Sequence, residues 1–144
     1  MGTLIVNYDQ DLDVLIRGGK YDFVSPEITK GNFPLPEQFH GLGKKTMSFE
    51  LFEFEDIESQ DAIGKITLAK FRPAILIESL TLGVQLNVPK DKPIVALGQT
   101  CRITEGGFYY VPVIGIDKGK WSLSWCWFKD AWAGHSCYFL GIKI

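Results

Sequence analysis

The stretch WSLSWCWFKDAWAGHSC, residues 121–137, holds all four tryptophans of the chain, two of its three cysteines and one of its two histidines. Side chains alternate between the two faces of a β-strand, so Trp121, Trp125 and Trp127 should share one face of a strand that begins here. Burying one indole removes about 150–250 Å² from water, which stabilises a fold by roughly 4–6 kcal/mol at about 25 cal/mol per Å². We therefore expect this row to lie in the core, beneath helices. The alternative is an exposed aromatic platform for a sugar ring, a peptide or another flat ligand.

The segments around the tryptophan row favour further strands. β-Branched and aromatic residues dominate PIVALGQTCRI (93–103), GFYYVPVIGI (107–116) and CYFLGIKI (137–144). Turn-type residues separate these runs. The C-terminal half is therefore predicted to form a small, twisted antiparallel sheet.

Two helices are predicted between a strand at residues 46–56 and this sheet. Ser59 is expected to cap the first helix, over residues 59–71, because its hydroxyl can accept a hydrogen bond from a free amide at the helix start. The second helix is expected to begin at Pro73, whose missing N–H costs nothing in a first turn, and to end near Gly83.

The N-terminal segment, residues 3–22, predicts a short strand that runs into a helix. Asp9 or Asp11 would cap this helix, and the glycine pair at residues 18–19 would end it. Residues 24–45 carry three prolines and three glycines, which predicts a surface loop and the most mobile part of the chain.

These elements predict a single α+β domain over residues 1–144, with helices packed on one side of the sheet. The net charge is −2 and the basic residues are scattered, so the chain lacks the basic patch that nucleic-acid binding requires. No run approaches the roughly 20 apolar residues of a membrane-spanning helix. The start shows no secretory signal. We expect a soluble cytoplasmic protein that binds neither nucleic acids nor membranes.

The loop after the tryptophan strand is the candidate binding site, because loops carry recognition residues disproportionately. The candidate ligand-binding residues are Trp132, His135, Lys129 and Asp130 in this loop, with Tyr109 and Tyr110 as neighbours. Packing of Trp132 into the edge of the core is an equally good interpretation. The expected partner is a protein or a small ligand.

The cysteines leave a second hypothesis open. Cys137 or Cys126 with His135 would form the thiol–imidazole pair of a cysteine-dependent enzyme, in which a neighbouring base generates the thiolate. Thiolates and imidazole also suit zinc, but the chain has no C-x-x-C pair, and the spacing of His135 and Cys137 is unlike that of structural zinc sites. We therefore predict no metal and no cofactor, and we assign no catalytic residue.

Several motifs resemble those of a group of small bacterial proteins to which no function is assigned. They are the Arg-Pro-Ala helix start at residues 72–74, PIVALG at 93–98, YVP at 110–112 and the closing strand at 137–144. This resemblance covers most of the chain and implies a bacterial or phage protein.

More distantly, the chain is similar to C-type-lectin-like domains, including the formylglycine-generating-enzyme group. The matching pieces are Arg72-Pro73-Ala74 with Glu78 and Leu80, and Leu140-Gly141-Ile142-Lys143. The resemblance implies a lectin-like arrangement of two helices followed by a twisted sheet. The calcium-ligating motifs of the sugar-binding members are absent from the sequence, so architecture rather than activity is implied. We expect a non-catalytic binding module.

Overall fold

A computed structural model describes residues 2–85, 87–101, 109–128, 132 and 136–144. The described part of the chain forms three α-helices and eight strands, so the predicted α+β class is confirmed. The elements are β1 (Gly2–Asn7), α1 (Leu12–Gly18), β2 (Phe23–Val24), a 3₁₀ turn (Glu37–Phe39), β3 (Lys44–Glu55), α2 (Ser59–Leu68), β4 (Phe71–Pro73), α3 (Leu76–Gln85), β5 (Ile94–Val95), β6 (Tyr110–Asp117), β7 (Lys120–Trp127) and β8 (Ser136–Lys143). No helix in the described ranges is both long and apolar enough to span a membrane.

The strands form one open, mixed sheet in the order β1-β3-β8-β5-β6-β7-β2, with β4 also paired to β8. The prediction of a wholly antiparallel sheet is wrong, because β2 pairs in parallel with β7, and β5 pairs in parallel with β8. Both parallel strands are only two residues long, too short for a sequence pattern to reveal their direction. The β6–β7 hairpin turns at Lys118 (φ 51°) and Gly119 (φ 80°), the positive-φ pair of a tight two-residue turn.

One face of the sheet packs against α1 and α3. Leu15 of α1 and Leu80 of α3 are buried in an apolar cluster with Ile114 of β6, Leu123 of β7 and Leu140 of β8. The alternation predicted for β7 is confirmed here, since Trp121 and Trp125 pack against the same cluster as Leu123.

The opposite face packs against α2, so the prediction that all helices lie on one side is wrong. Ala62 and Ile66 of α2 are buried with Val95 of β5 and Phe139 of β8. Strand β4 joins α2 to α3, and it runs along β8 at the edge not used by β3. This short strand carries the chain from one face of the sheet to the other.

Three local predictions for the helices are corrected. The residue that precedes α2 is Glu58, and Ser59 is the first helical residue rather than the cap. Pro73 lies in β4 opposite Gly141, and α3 begins at Leu76. Gly83 lies inside α3 instead of ending it. The absence of a β-carbon makes room for Tyr21, since a β-carbon there would lie 2.9 Å from the Tyr21 hydroxyl oxygen. In contrast, Asp11 caps α1 as predicted.

The proline-rich loop over residues 24–45 contributes to the core. Ile28, Phe33 and Phe39 are buried in the cluster under α1 and α3. The Gln99 side-chain amide donates a hydrogen bond of 2.5 Å to the Pro34 carbonyl oxygen, which ties the loop to the segment after β5. The loop is therefore packed onto the same face as the tryptophan row.

Candidate functional site

The structure divides the predicted binding residues between the two faces of the sheet. Trp132 lies on the face that packs against α2, whereas Tyr110 lies on the face of the tryptophan row. Lys129, Asp130 and His135 lie outside the described residues.

Trp132 is a core residue in this structure, with only 3% of its surface exposed. Its indole Nε1–H donates a hydrogen bond of 3.0 Å to the Ser59 hydroxyl oxygen, and its backbone N–H donates one of 2.8 Å to the Ile57 carbonyl oxygen. Its ring meets Phe139 edge to face, with 5.7 Å between the ring centroids. The indole anchors the connection between β7 and β8 against α2 and leaves little surface for a ligand.

Burial decreases along the tryptophan row of β7. Trp121 is partly buried, stacks on Tyr21 with the ring centroids 5.8 Å apart, and donates its indole N–H to the Gly19 carbonyl oxygen at 3.3 Å. Trp125 is also partly buried. Trp127, at the end of the strand, is 39% exposed. The expectation that the row is buried beneath helices is therefore met only in part for Trp121 and Trp125, which are half-buried against the core, and it is wrong for Trp127.

Three rings meet where β6 begins and β7 ends. We call this group, Tyr110, Trp125 and Trp127, the aromatic end. Tyr110 is buried, and its ring centroid lies 4.0 Å from that of Trp125 and 4.4 Å from that of Trp127. The two indoles meet edge to face at 5.6 Å. Tyr109 is also 48% exposed, but it is paired with Phe128, whose side chain packs on the α2 face. The aromatic end therefore presents one ring, Trp127, to solvent on a base of two packed rings.

A carboxylate lies beside the aromatic end. Glu27 accepts a hydrogen bond of 2.6 Å from the Ser25 hydroxyl, and this bond is the main reason why the pKa of Glu27 lies below its usual value. The Glu27 backbone and the nearby Trp125 side chain act in the same direction on this pKa. Glu27 is therefore a fixed, ionised acceptor next to the aromatic rings at neutral pH.

A second concave region lies on the α2 face of the sheet. Cys126, Cys137, Trp132, Val113 and Ser124 contribute to the walls of a cavity of about 200 Å³. Cys126 is half-buried, whereas Cys137 is buried.

The strand order places the two thiols of this cavity far apart. β5 and β6 lie between β8 and β7, so Cys137 and Cys126 are separated by three strand spacings, roughly 14 Å. A disulfide requires α-carbons within about 7 Å, so the two residues are not positioned to form one. Burial raises the pKa of the third thiol, Cys101, which keeps it protonated and weakly nucleophilic.

A buried polar network was not found by sequence reasoning. The Arg72 guanidinium binds both carboxylate oxygens of Glu78, at 2.9 and 2.6 Å, and Glu78 is fully buried. The Tyr8 hydroxyl donates to the same carboxylate at 2.5 Å, and the backbone N–H of Ile75 donates to it at 2.9 Å. Burial and the neighbouring Glu78 raise the pKa of Tyr8 well above its usual value. This network binds β1, β4 and the start of α3 together.

Among the described residues, no group of three or more histidine, cysteine or acidic side chains comes close enough to hold a metal ion. No protein-family model matches the chain, and no curated protein and no solved structure gives a significant match. Function is therefore inferred from the residues and their geometry alone.

Proposed function

We propose that this protein is a non-catalytic binding module whose aromatic end contacts the flat face of a ring-shaped ligand. The observation that carries the proposal is the exposure of Trp127 beside the packed pair Tyr110 and Trp125. Exposing a large indole forfeits stabilisation that the rest of the row obtains from burial. Such exposure is typical of aromatic residues that contact a partner.

A carbohydrate is the ligand class that this geometry favours. The apolar face of a sugar ring packs on an exposed indole, and the hydroxyl groups around the ring need acceptors and donors at the edge of that contact. Glu27 supplies a carboxylate acceptor next to Trp125. The indole provides the contact area, and the carboxylate provides orientation.

We also propose that the fold is related to C-type-lectin-like domains of bacteria or their phages. Arg72 and Glu78, two of the residues on which that resemblance rests, form a bidentate ion pair at the start of α3. This ion pair gives both residues a structural role. The proposed sugar contact is independent of calcium.

The proposal is tested by following tryptophan fluorescence while soluble maltohexaose, cellohexaose and chitohexaose are titrated separately into the protein. We expect at least one of them to produce a saturable change. Trp127→Ala should abolish this change without unfolding the protein, because the Trp127 side chain is already 39% exposed. Trp121→Phe is the matched control, since Trp121 lies at the other end of the row.

Two results would contradict the proposal. One is saturable binding that Trp127→Ala leaves intact, because the sugar would then bind elsewhere. The other is the absence of binding to all three sugars. A specific protein partner whose binding depends on Trp127 would then replace a carbohydrate as the ligand.

The cysteine-dependent enzyme remains a second proposal, favoured by the position of Cys126 in the cavity on the α2 face. A catalytic thiolate reacts with iodoacetamide at neutral pH far faster than an ordinary thiol. Mass spectrometry after brief labelling of the native protein would detect such a fast-reacting cysteine. Uniformly slow labelling of all three cysteines rules the enzyme out.

A further inference from the structure

A separate cavity of about 300 Å³ opens between the start of α1 and the loop that follows β2. Its lining includes the apolar side chains of Leu12 of α1, Phe33 of the loop and Ile77 of α3, which we call its apolar floor. We call it the α1 cavity. Its volume lies at the lower end of the range for ligand pockets, about 300–1,000 Å³, so it suits a small ligand.

The walls of the α1 cavity are held by hydrogen bonds within the protein. Gln99 donates to the Pro34 carbonyl oxygen at 2.5 Å and accepts from the backbone N–H of Leu76 at 3.1 Å. Tyr8, another wall residue, donates its hydroxyl to Glu78. These groups are already paired, so they shape the cavity and are not available to a ligand.

Three polar side chains on the cavity wall remain open to a ligand. Within the described part of the chain, the Lys30 ammonium and the Gln10 side-chain amide make no hydrogen bond or ion pair. Asp11 uses one carboxylate oxygen, Oδ1, to accept the backbone N–H of Asp13 at 3.0 Å, which leaves Oδ2 available. The cavity thus offers one cation, one anion and one amide above an apolar floor.

We propose that the α1 cavity binds a free α-amino acid with an apolar side chain, a second activity beyond the contact at the aromatic end. The ligand carboxylate would pair with Lys30 and accept from the Gln10 amide, while its ammonium group would donate to Asp11. Its side chain would pack on the apolar floor. A simple carboxylate or amine would leave one of the two opposite charges unmatched, so the zwitterion is the class that satisfies both.

Isothermal titration calorimetry with L-leucine, 4-methylpentanoic acid and leucinol tests this proposal on the 144-residue chain. The acid lacks the ammonium group and the alcohol lacks the carboxylate. We expect saturable binding of L-leucine, and binding at least about tenfold weaker, equivalent to about 1.4 kcal/mol, for each analogue. Equal binding of either analogue would overturn the assignment to a zwitterion. Failure of L-leucine to bind at up to about 10 mM would overturn the site itself.

Two substitutions locate the binding. Lys30→Met removes the cation, and Asp11→Asn removes the anion while keeping a good helix cap, so α1 should persist. Each should weaken L-leucine binding about tenfold, equivalent to about 1.4 kcal/mol. Lys45→Met and Asp13→Asn are matched controls at exposed positions outside the cavity. Unchanged binding in both test variants would contradict the proposal, and Trp127→Ala should leave L-leucine binding unaltered.

Discussion

Two buried tyrosine hydroxyls differ in whether they have a hydrogen-bond partner. The Tyr8 hydroxyl donates to the buried carboxylate of Glu78, whereas the Tyr21 hydroxyl is buried without a partner among the described residues. A buried hydroxyl without a hydrogen bond costs about 1–3 kcal/mol, and a hydrogen bond to a charged group contributes about 1.5–3 kcal/mol. The same chemical change should therefore have opposite effects at the two positions.

We expect Tyr21→Phe to raise the free energy of unfolding by about 1 kcal/mol and Tyr8→Phe to lower it by about 2 kcal/mol at pH 7. Urea unfolding followed by circular dichroism measures both. Loss of stability in Tyr21→Phe comparable to that in Tyr8→Phe would show that the Tyr21 hydroxyl has a hydrogen-bond partner.

Burial raises the pKa of Tyr21 from about 10 to about 12. Between these values the unfolded chain releases the proton and the folded chain keeps it. Ionisation of this buried hydroxyl therefore leaves the free energy of unfolding unchanged below about pH 10 and lowers it as pH rises towards about 12. We expect the free energy of unfolding to fall over this range, and to fall less steeply in Tyr21→Phe. Identical slopes in the two proteins would contradict this assignment.

Single residues show how far local sequence signals reach. Asp11 was identifiable as a helix cap because its partner, the backbone N–H of Asp13, is two residues away. Ser59 looked like a cap for the same kind of reason, but its hydroxyl accepts from Trp132, 73 residues later. A short-range pattern cannot show that a distant indole uses the same oxygen.

At the scale of elements, β1 is an edge strand, and α3 covers part of its open side. The Gln85 side chain at the end of α3 accepts the backbone N–H of Ile5 at 3.1 Å and donates to the Ile5 carbonyl oxygen at 2.6 Å. The side-chain amide thus takes the place of a neighbouring strand. Unpaired edges favour association with other chains, so Gln85 should help to keep the protein monodisperse.

We expect Gln85→Met to lower the free energy of unfolding by about 1–2 kcal/mol through the loss of two hydrogen bonds, and to increase self-association. Urea unfolding and light scattering at matched concentrations measure the two effects. Gln60→Met, at an exposed position on α2, is the control. Indistinguishable behaviour of the two variants would mean that Gln85 does not protect the edge.

Long strands were easier to predict than short ones. The alternation in β7 placed Trp121 and Leu123 on the same face, because eight residues give several repeats of the pattern. β5 has two residues, and its parallel pairing with β8 depends on where the chain returns after α3. Pro73 predicts a helix start, but it is equally suited to a short edge strand, and it lies in β4.

At the scale of the whole molecule, the network of Arg72, Glu78 and Tyr8 links elements that are far apart in sequence. Tyr8 follows β1, Arg72 lies in β4 and Glu78 lies in the first turn of α3. The Arg72 guanidinium also lies 5.0 Å from the ring centroid of Phe39, in the loop that covers this face. The sequence suggested Arg72 and Glu78 as motif residues, but gave no sign that Tyr8 joins them.

We expect Arg72→Met to lower the free energy of unfolding by about 3–5 kcal/mol, because it leaves the carboxylate of Glu78 buried without its cation. Chemical denaturation measures the loss. Arg17→Met, at an exposed position in α1, is the control and should change stability little. A comparably small effect at Arg72 would show that the network contributes little to the fold.

The division of the aromatic residues between core and surface could be predicted only in part. Sequence alternation correctly grouped the indoles of β7, and the energetic argument correctly placed Trp121 against other elements. The exposure of Trp127 depends on where the cover provided by α1, α3 and the loop ends, which is a property of the tertiary structure. The candidate site is therefore centred on Trp127 rather than on Trp132.

The most direct test of this division between core and surface is an NMR measurement on the four indole N–H signals, assigned with single Trp→Phe variants. A soluble paramagnetic agent attenuates the signals of exposed indoles more than those of buried ones. A core row with one exposed end predicts that Trp127 loses the most intensity and Trp132 the least. Equal protection of Trp127 and Trp132, or greater attenuation of Trp132, would contradict it.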